Sequence, residues 1–182
     1  MPKRIAFQFD DELDYQLKAI HSTVDLFKGL PRQTDGIYRP NRSKKVGEGD
    51  PVRNQSIIAG SRLLQNLRQV QLENKLFADN VIENNNFTIE METGTGKTYV
   101  YLRTILELYK EYDFKKFMIV VPSIAIRKGV EKSIDQLKDH FKRLYDVDLS
   151  KHSFIYDSNN PKKVSSSLVE TNDLSICVLN IQ

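Results

Sequence analysis

The second half of this 182-residue chain predicts an α/β fold, a doubly wound parallel sheet with helices on both faces. Three observations carry the prediction. Extended apolar runs stand at 87–91, 117–121 and 174–181, with a shorter one at 153–156. Stripes of helical spacing separate them, Leu102, Ile105, Leu106 and Tyr109 after the first run and Val130, Ile134, Leu137, Phe141 and Leu144 after the second. A glycine-rich turn, Thr93-Gly94-Thr95-Gly96-Lys97-Thr98, joins the first run to the first stripe.

The elements follow in order. Residues 10–28 read as a helix, because Leu13, Leu17, Ile20, Val24 and Phe27 recur at steps of four and three. Asp10 or Asp11 is placed to cap it, and Gly29 and Pro31 end it. From 31 to about 50 the composition shifts to Pro31, Gly36, Pro40, Gly47 and Gly49, with Arg39, Arg42, Lys44 and Lys45 close together. That stretch reads as a loop insertion. Its basic cluster is a solvated charge run, with contact to phosphates as the alternative. A second helix is predicted over 56–76, with Leu63, Leu67 and Val70 inward, and Asn84-Asn85-Asn86 turns the chain into a strand at 87–91. A helix over 98–112 precedes the continuous apolar run 117–121, which suits a parallel strand buried on both faces. Pro122 stops it, a long helix follows, and 153–156 forms a short strand. A polar, partly helical stretch then leads to the last strand.

Composition bounds the class. A chain of 182 residues with 40% hydrophobic and 28% charged residues has enough apolar material for one domain with a core. The net charge of +3 is too small to argue for nucleic acid by itself. The single cysteine, Cys177, rules out an internal disulfide and sits in an apolar run as a buried thiol would. No apolar stretch reaches membrane-spanning length, and the charged start lacks the apolar centre of a signal peptide, so a cytoplasmic protein without membrane contact is expected.

Strand, glycine turn and helix in succession are what a phosphate-binding loop requires. The glycines let backbone N–H groups turn inward on an anion, and the helix N-terminus adds partial positive charge. Lys97 reaches β- and γ-phosphates, and the Thr98 hydroxyl can hold Mg²⁺. Thr93, Gly94, Thr95, Gly96, Lys97 and Thr98 are therefore expected to bind ATP, with Lys97 and Thr98 the catalytic pair and Thr98 the metal contact. One position departs from the general pattern: Met91 stands where the first glycine would be.

Two further stretches bear on function. In Tyr15-Gln16 the amide of Gln16 can donate and accept against the adenine edge, or be an ordinary surface glutamine. In Val121-Pro122-Ser123-Ile124-Ala125-Ile126-Arg127, the Ser123 hydroxyl, helix N–H groups and Arg127 suit a nucleic-acid phosphate, or make a capped helix with an exposed arginine.

Together the three stretches resemble superfamily 2 helicases and translocases, as a glutamine motif, motif I and a Val-Pro-Ser form of motif Ia. The wording from Met91 through Thr104 and from Phe117 through Arg127 is similar to the Res subunit of type III restriction–modification enzymes. Asn66-Leu67-Arg68-Gln69-Val70-Gln71-Leu72-Glu73-Asn74 and Val178-Leu179-Asn180-Ile181 share that likeness. The resemblance implies a partial P-loop, RecA-like motor domain at 86–182, preceded at 1–85 by helices carrying the glutamine motif and the loop insertion. It implies a hydrolase whose complete form couples ATP and Mg²⁺ to restriction of double-stranded DNA beside a Mod methyltransferase subunit. Gln16 would read adenine, residues 93–98 would wrap phosphates, and Ser123 and Arg127 would track the DNA backbone. No strand here ends in the Asp-Glu pair that hydrolysis requires, so the chain reads as the front of a larger enzyme, inactive alone. The alternatives are a type I restriction motor, another superfamily 2 translocase, or a nucleotide-dependent regulatory module without hydrolysis.

Overall fold

A computed structural model describes residues 9–32, 54, 58–159, 164, 166, 168 and 171–181. Its elements are α1 (Asp14–Val24), continued by a 3-10 turn (Asp25–Phe27), α2 (Gly60–Glu73), α3 (Lys97–Tyr112), β1 (Lys116–Val121), α4 (Ile124–Tyr145), α5 (Leu149–His152), β2 (Ser153–Ile155) and β3 (Ser175–Asn180). The strands form one parallel sheet in the order β1-β3-β2. β3, last in sequence, is thus central, and its register puts Val121 beside Asn180. One consequence matters for the site: the carboxyl ends of β1 and β3 lie together, where parallel α/β sheets bind ligands.

The main core forms where α3 and α4 meet the sheet. Leu102, Ile105 and Leu106 from α3 join Val130, Ile134, Leu137 and Phe141 from α4, with Ile119, Val121, Ile176 and Val178 from the strands. The predicted stripes are therefore the buried faces. A second core binds α1 to the other side of α3: Ala19, Ile20 and Val24 pack against Val100, Leu108, Tyr112 and Phe114. Cys177 is a buried free thiol, pushed up from its ordinary pKa by that burial. Among the described residues no helix is long and apolar enough to cross a membrane.

Helix ends follow local chemistry. Ser123 caps α4, its hydroxyl accepting from Ile126 N at 3.3 Å. α3 and α4 both end on an aspartate in the left-handed region, Asp113 at φ 58° and Asp146 at φ 56°. Asn54 fixes the entry to β1, its Oδ1 accepting from Lys115 N and Lys116 N while its Nδ2 donates to Lys116 O. Asn66 on α2 clips the end of the first helical segment by donating to Leu26 O and Lys28 O.

Three sequence expectations are corrected. β1 is not buried on both faces: Ile119 and Val121 face the core, while Met118 and Val120 on the other face are 63% and 52% exposed. Residues 87–91 do not form a strand. Among the described residues no strand runs beside them to supply a ladder, and Phe87 and Ile89 stay 37% and 44% exposed. Neither Asp10 nor Asp11 caps α1, which begins later, at an N-cap Leu13 without a side-chain bond. Asp10 instead accepts from Glu12 N in a local turn, and the Asp11 carbonyl is taken by Arg103. The second helix lies within its predicted span. Ser56, the basic cluster Arg39, Arg42, Lys44 and Lys45, and most of the polar stretch before β3 fall outside the described residues.

A candidate nucleotide site

The glycine turn leads straight into α3, with Gly96 as its N-cap. Gly94 and Gly96 hold φ of +83° and +86°, a region that side chains with a Cβ rarely occupy. A Cβ on Gly94 would meet nothing within 4 Å, so conformation alone demands glycine there. At Gly96 a Cβ would in addition come 2.5 Å from Gln16 Nε2, the end of a side chain that would have to shift off the Thr95 carbonyl.

That contact brings together two features far apart in sequence. Gln16, buried at 7% exposure, donates from Nε2 to the Thr95 carbonyl at 2.9 Å. The packing of α1 on α3 carries it there. Gln16 is thus no surface glutamine, and its Oε1 is the end left to accept from a ligand. Inside the turn, the Glu92 carbonyl accepts from Thr95 Oγ1 at 2.6 Å and from Lys97 Nζ at 2.7 Å. The lysine folds back on its own loop while remaining exposed, so its ammonium can leave one carbonyl for a phosphate oxygen. Tyr101, a turn further on, is raised in pKa by burial and has the Thr98 hydroxyl as a hydrogen-bonding neighbour.

These residues fit a nucleoside triphosphate with Mg²⁺. The opening turn of a 16-residue helix presents N–H groups with no intrahelical acceptor, a glycine faces open space, and a lysine stands free to swing. Among the described residues no three His, Cys, Asp or Glu side chains gather into a metal centre. Mg²⁺ would accordingly take the Thr98 hydroxyl together with phosphate oxygens and water, the donor set this ion accepts.

Ser123 and Arg127 lie at the start of α4, at the carboxyl end of β1, and are held there differently. Ser123 accepts the helix N–H already described and keeps its own proton for another partner. Arg127 donates from Nη1 to Asn180 Oδ1 at 2.7 Å, tying α4 to the end of β3. Its Nε, without a hydrogen bond, lies 3.7 Å from Glu131 Oε1, an ion-pair distance. The arginine is a strut between elements rather than the freely exposed side chain of the plain reading.

Sequence reasoning missed a polar network behind the loop. Arg103 on α3 donates from Nε to Tyr145 Oη at 3.0 Å and from Nη1 to Asp11 O and to Tyr99 Oη at 3.2 Å. Tyr145 in turn donates to Glu107, and burial followed by that bond pushes its phenol far above the ordinary value. His140 lies 3.1 Å from Tyr99 Oη by Nε2 and 3.2 Å from Arg143 Nη2 by Nδ1. Since a guanidinium only donates, Nδ1 accepts and the neutral ring carries its proton on Nε2. The signal was present: Tyr99, Arg103 and Glu107 follow one another at steps of four along one helical face.

A parallel sheet with a phosphate-loop turn at the head of α3 and a glutamine lying against that turn defines a helicase-type domain, a partial RecA-like fold. Comparison with known proteins narrows the class. The family described as the type III restriction enzyme Res subunit matches residues 11–182, and the chain belongs to that family. It is 34% identical over 168 residues to the EcoPI Res subunit of Escherichia phage P1, a match covering 88% of this chain and 16% of the relative. With the EcoP15I Res subunit of Escherichia coli it is 28% identical over 169 residues, again 88% of this chain and 16% of the relative. A mitochondrial ATP-dependent RNA helicase, MRH4 of Lodderomyces elongisporus, is 32% identical over 106 residues, covering 57% of this chain and 16% of the helicase. The chain thus spans about a sixth of the length of the two Res subunits it matches.

Proposed function

We propose that the chain is the nucleotide-binding front of an ATP-driven DNA motor, acting in a complete type III restriction endonuclease beside a Mod methyltransferase subunit. The observation that carries this reading is the bond from Gln16 Nε2 to the Thr95 carbonyl, which sets an adenine-reading amide against a left-handed glycine loop at a helix N-terminus. In this reading residues 93–98 surround the phosphates of ATP. Lys97 leaves the Glu92 carbonyl for the β- and γ-phosphates, and Thr98 supplies its hydroxyl to Mg²⁺. The metal ion, when bound, neutralises phosphate charge. Ser123 offers its free hydroxyl proton, and Arg127 its charge, to the DNA backbone at the carboxyl ends of β1 and β3. Residues 1–85 contribute the glutamine-bearing helices and residues 86–182 the motor domain proper.

Calorimetric titration with ATP and Mg²⁺ tests the reading. Saturable binding is expected, weakened at least about tenfold by Lys97→Ala, since charge-assisted bonds to a phosphate are worth roughly 1.5–3 kcal/mol. Equal affinity in the two proteins would reject the phosphate-loop assignment.

A further inference from the structure

We propose that Arg103 is a positioning residue that joins the nucleotide loop to α4, so that filling of the loop and contact of α4 with the nucleic-acid backbone depend on each other. The proposal rests on the nucleotide and DNA reading above. Arg103 lies on α3 less than two turns after Lys97, with its side chain 13% exposed. Its fork ends on two other elements. Nη1 holds the carbonyl of Asp11, just ahead of α1, and Gln16 on α1 holds the carbonyl of Thr95. Arg103, Asp11, Gln16 and Thr95 thus close a ring through α1, the loop and α3.

The other arm reaches α4. Nε donates to Tyr145, the last residue of that helix, and Tyr99, which also receives Nη1, meets His140 one turn or so earlier. Ser123 and Arg127 stand at the opposite end. A helix of this length is a rod about 33 Å long, and its interior face is locked in the core by Val130, Ile134, Leu137 and Phe141. Moving as one body, α4 would carry a change in the seat of Tyr145 to Arg127. No other side chain among the described residues donates to both the approach to α1 and the end of α4. A lysine would keep the charge but not the planar fork that serves both at once.

The test uses the complete gene product and a fluorescent ATP analogue, titrated with and without a short duplex DNA of mixed sequence. DNA is expected to tighten nucleotide binding about fivefold or more in the unsubstituted protein. Arg103→Lys and, separately, Tyr145→Phe are expected to bring that ratio below about twofold while changing affinity without DNA less than about threefold. Tyr145→Phe removes only a hydroxyl, so it keeps the test open if Arg103→Lys folds poorly. An unchanged ratio in both variants, no ratio to lose in the unsubstituted protein, or an equal loss with and without DNA overturns the proposal. Nucleotide binding that survives Lys97→Ala overturns the underlying reading instead, and the proposal falls with it.

Discussion

Gln16 spends one of its two amide N–H donors on the loop, and that fixes how it can read a base. Oε1 and the second N–H remain; Oε1 suits the exocyclic amine of adenine and the N–H its ring N7, whereas Oε1 would face the carbonyl oxygen of guanine or hypoxanthine unfavourably. ATP is therefore expected to bind more tightly than GTP and ITP by roughly 1–3 kcal/mol, with GTP and ITP alike, and Gln16→Ala should erase the difference. Competition titrations with the three nucleotides measure this, and ITP binding as tightly as ATP would exclude the role. Gly96→Ala sets a Cβ 2.5 Å from Gln16 Nε2 at a left-handed φ, so the amide must shift off the Thr95 carbonyl and nucleotide affinity should fall. Gly94→Ala meets open space and carries only the conformational cost, on the order of 1–2 kcal/mol, so its effect should be the smaller of the two. The loop was legible in sequence because its chemistry is contiguous: two glycines, a lysine and a threonine within six residues. The grip of Gln16 on that loop was not, because it joins residues 79 apart and depends on α1 packing against α3. Nor was the strut from Arg127 to Asn180, since nothing in either segment announces that β3 pairs with β1.

Among the elements, α4 has two jobs that mutation can separate. Ser123 caps the helix and is proposed to meet DNA. Ser123→Ala should cost about 1 kcal/mol of stability as a lost cap. Ser123→Asp restores the cap acceptor but sets a negative charge against phosphate, so thermal stability should recover while DNA affinity falls. A melting curve and an anisotropy titration on the same sample distinguish the two, and DNA affinity unaffected by the aspartate would remove Ser123 from the interface. The far end of α4 holds His140, whose pKa burial lowers, with Arg143 and Arg103 acting in the same direction against the opposing Asp11 carboxylate. The ring is thus neutral when folded, and its contribution to stability is present above pH 6.5 and lost as acidification drives the proton on. Protonation would also cost Nδ1 its bond from Arg143. The melting temperature should therefore fall between pH 7.5 and pH 5.5, about two units around the ordinary histidine value, and His140→Asn should flatten that fall. Helices with an apolar stripe of constant step, α3 and α4, were readable because burial of one face is what makes them stable. The stretch at 87–91 misled for the complementary reason: β-forming residues make a strand only when a neighbour accepts their hydrogen bonds, and no local pattern reveals the neighbour.

For the whole molecule, binding and turnover are expected to part company. Hydrolysis by loops of this kind needs a later acidic side chain for Mg²⁺ and water, and among the described residues the long strands end in Val121 and Asn180. Residues 1–182 are accordingly expected to bind ATP and release phosphate no faster than buffer, with or without DNA. DNA-stimulated release that Lys97→Ala abolishes would show that the site is complete as it stands. The arrangement of the sheet carries a different kind of consequence, one for handling rather than chemistry. β1 has a strand on only one side among the described residues, and on one face of it Met118 and Val120 are 63% and 52% exposed. An open edge beside greasy side chains is a template on which a second molecule can lay its own strand. The purified chain should therefore grow in apparent size with concentration, and a charge at Val120, pointing outward from the sheet, should keep it dispersed without disturbing the nucleotide loop.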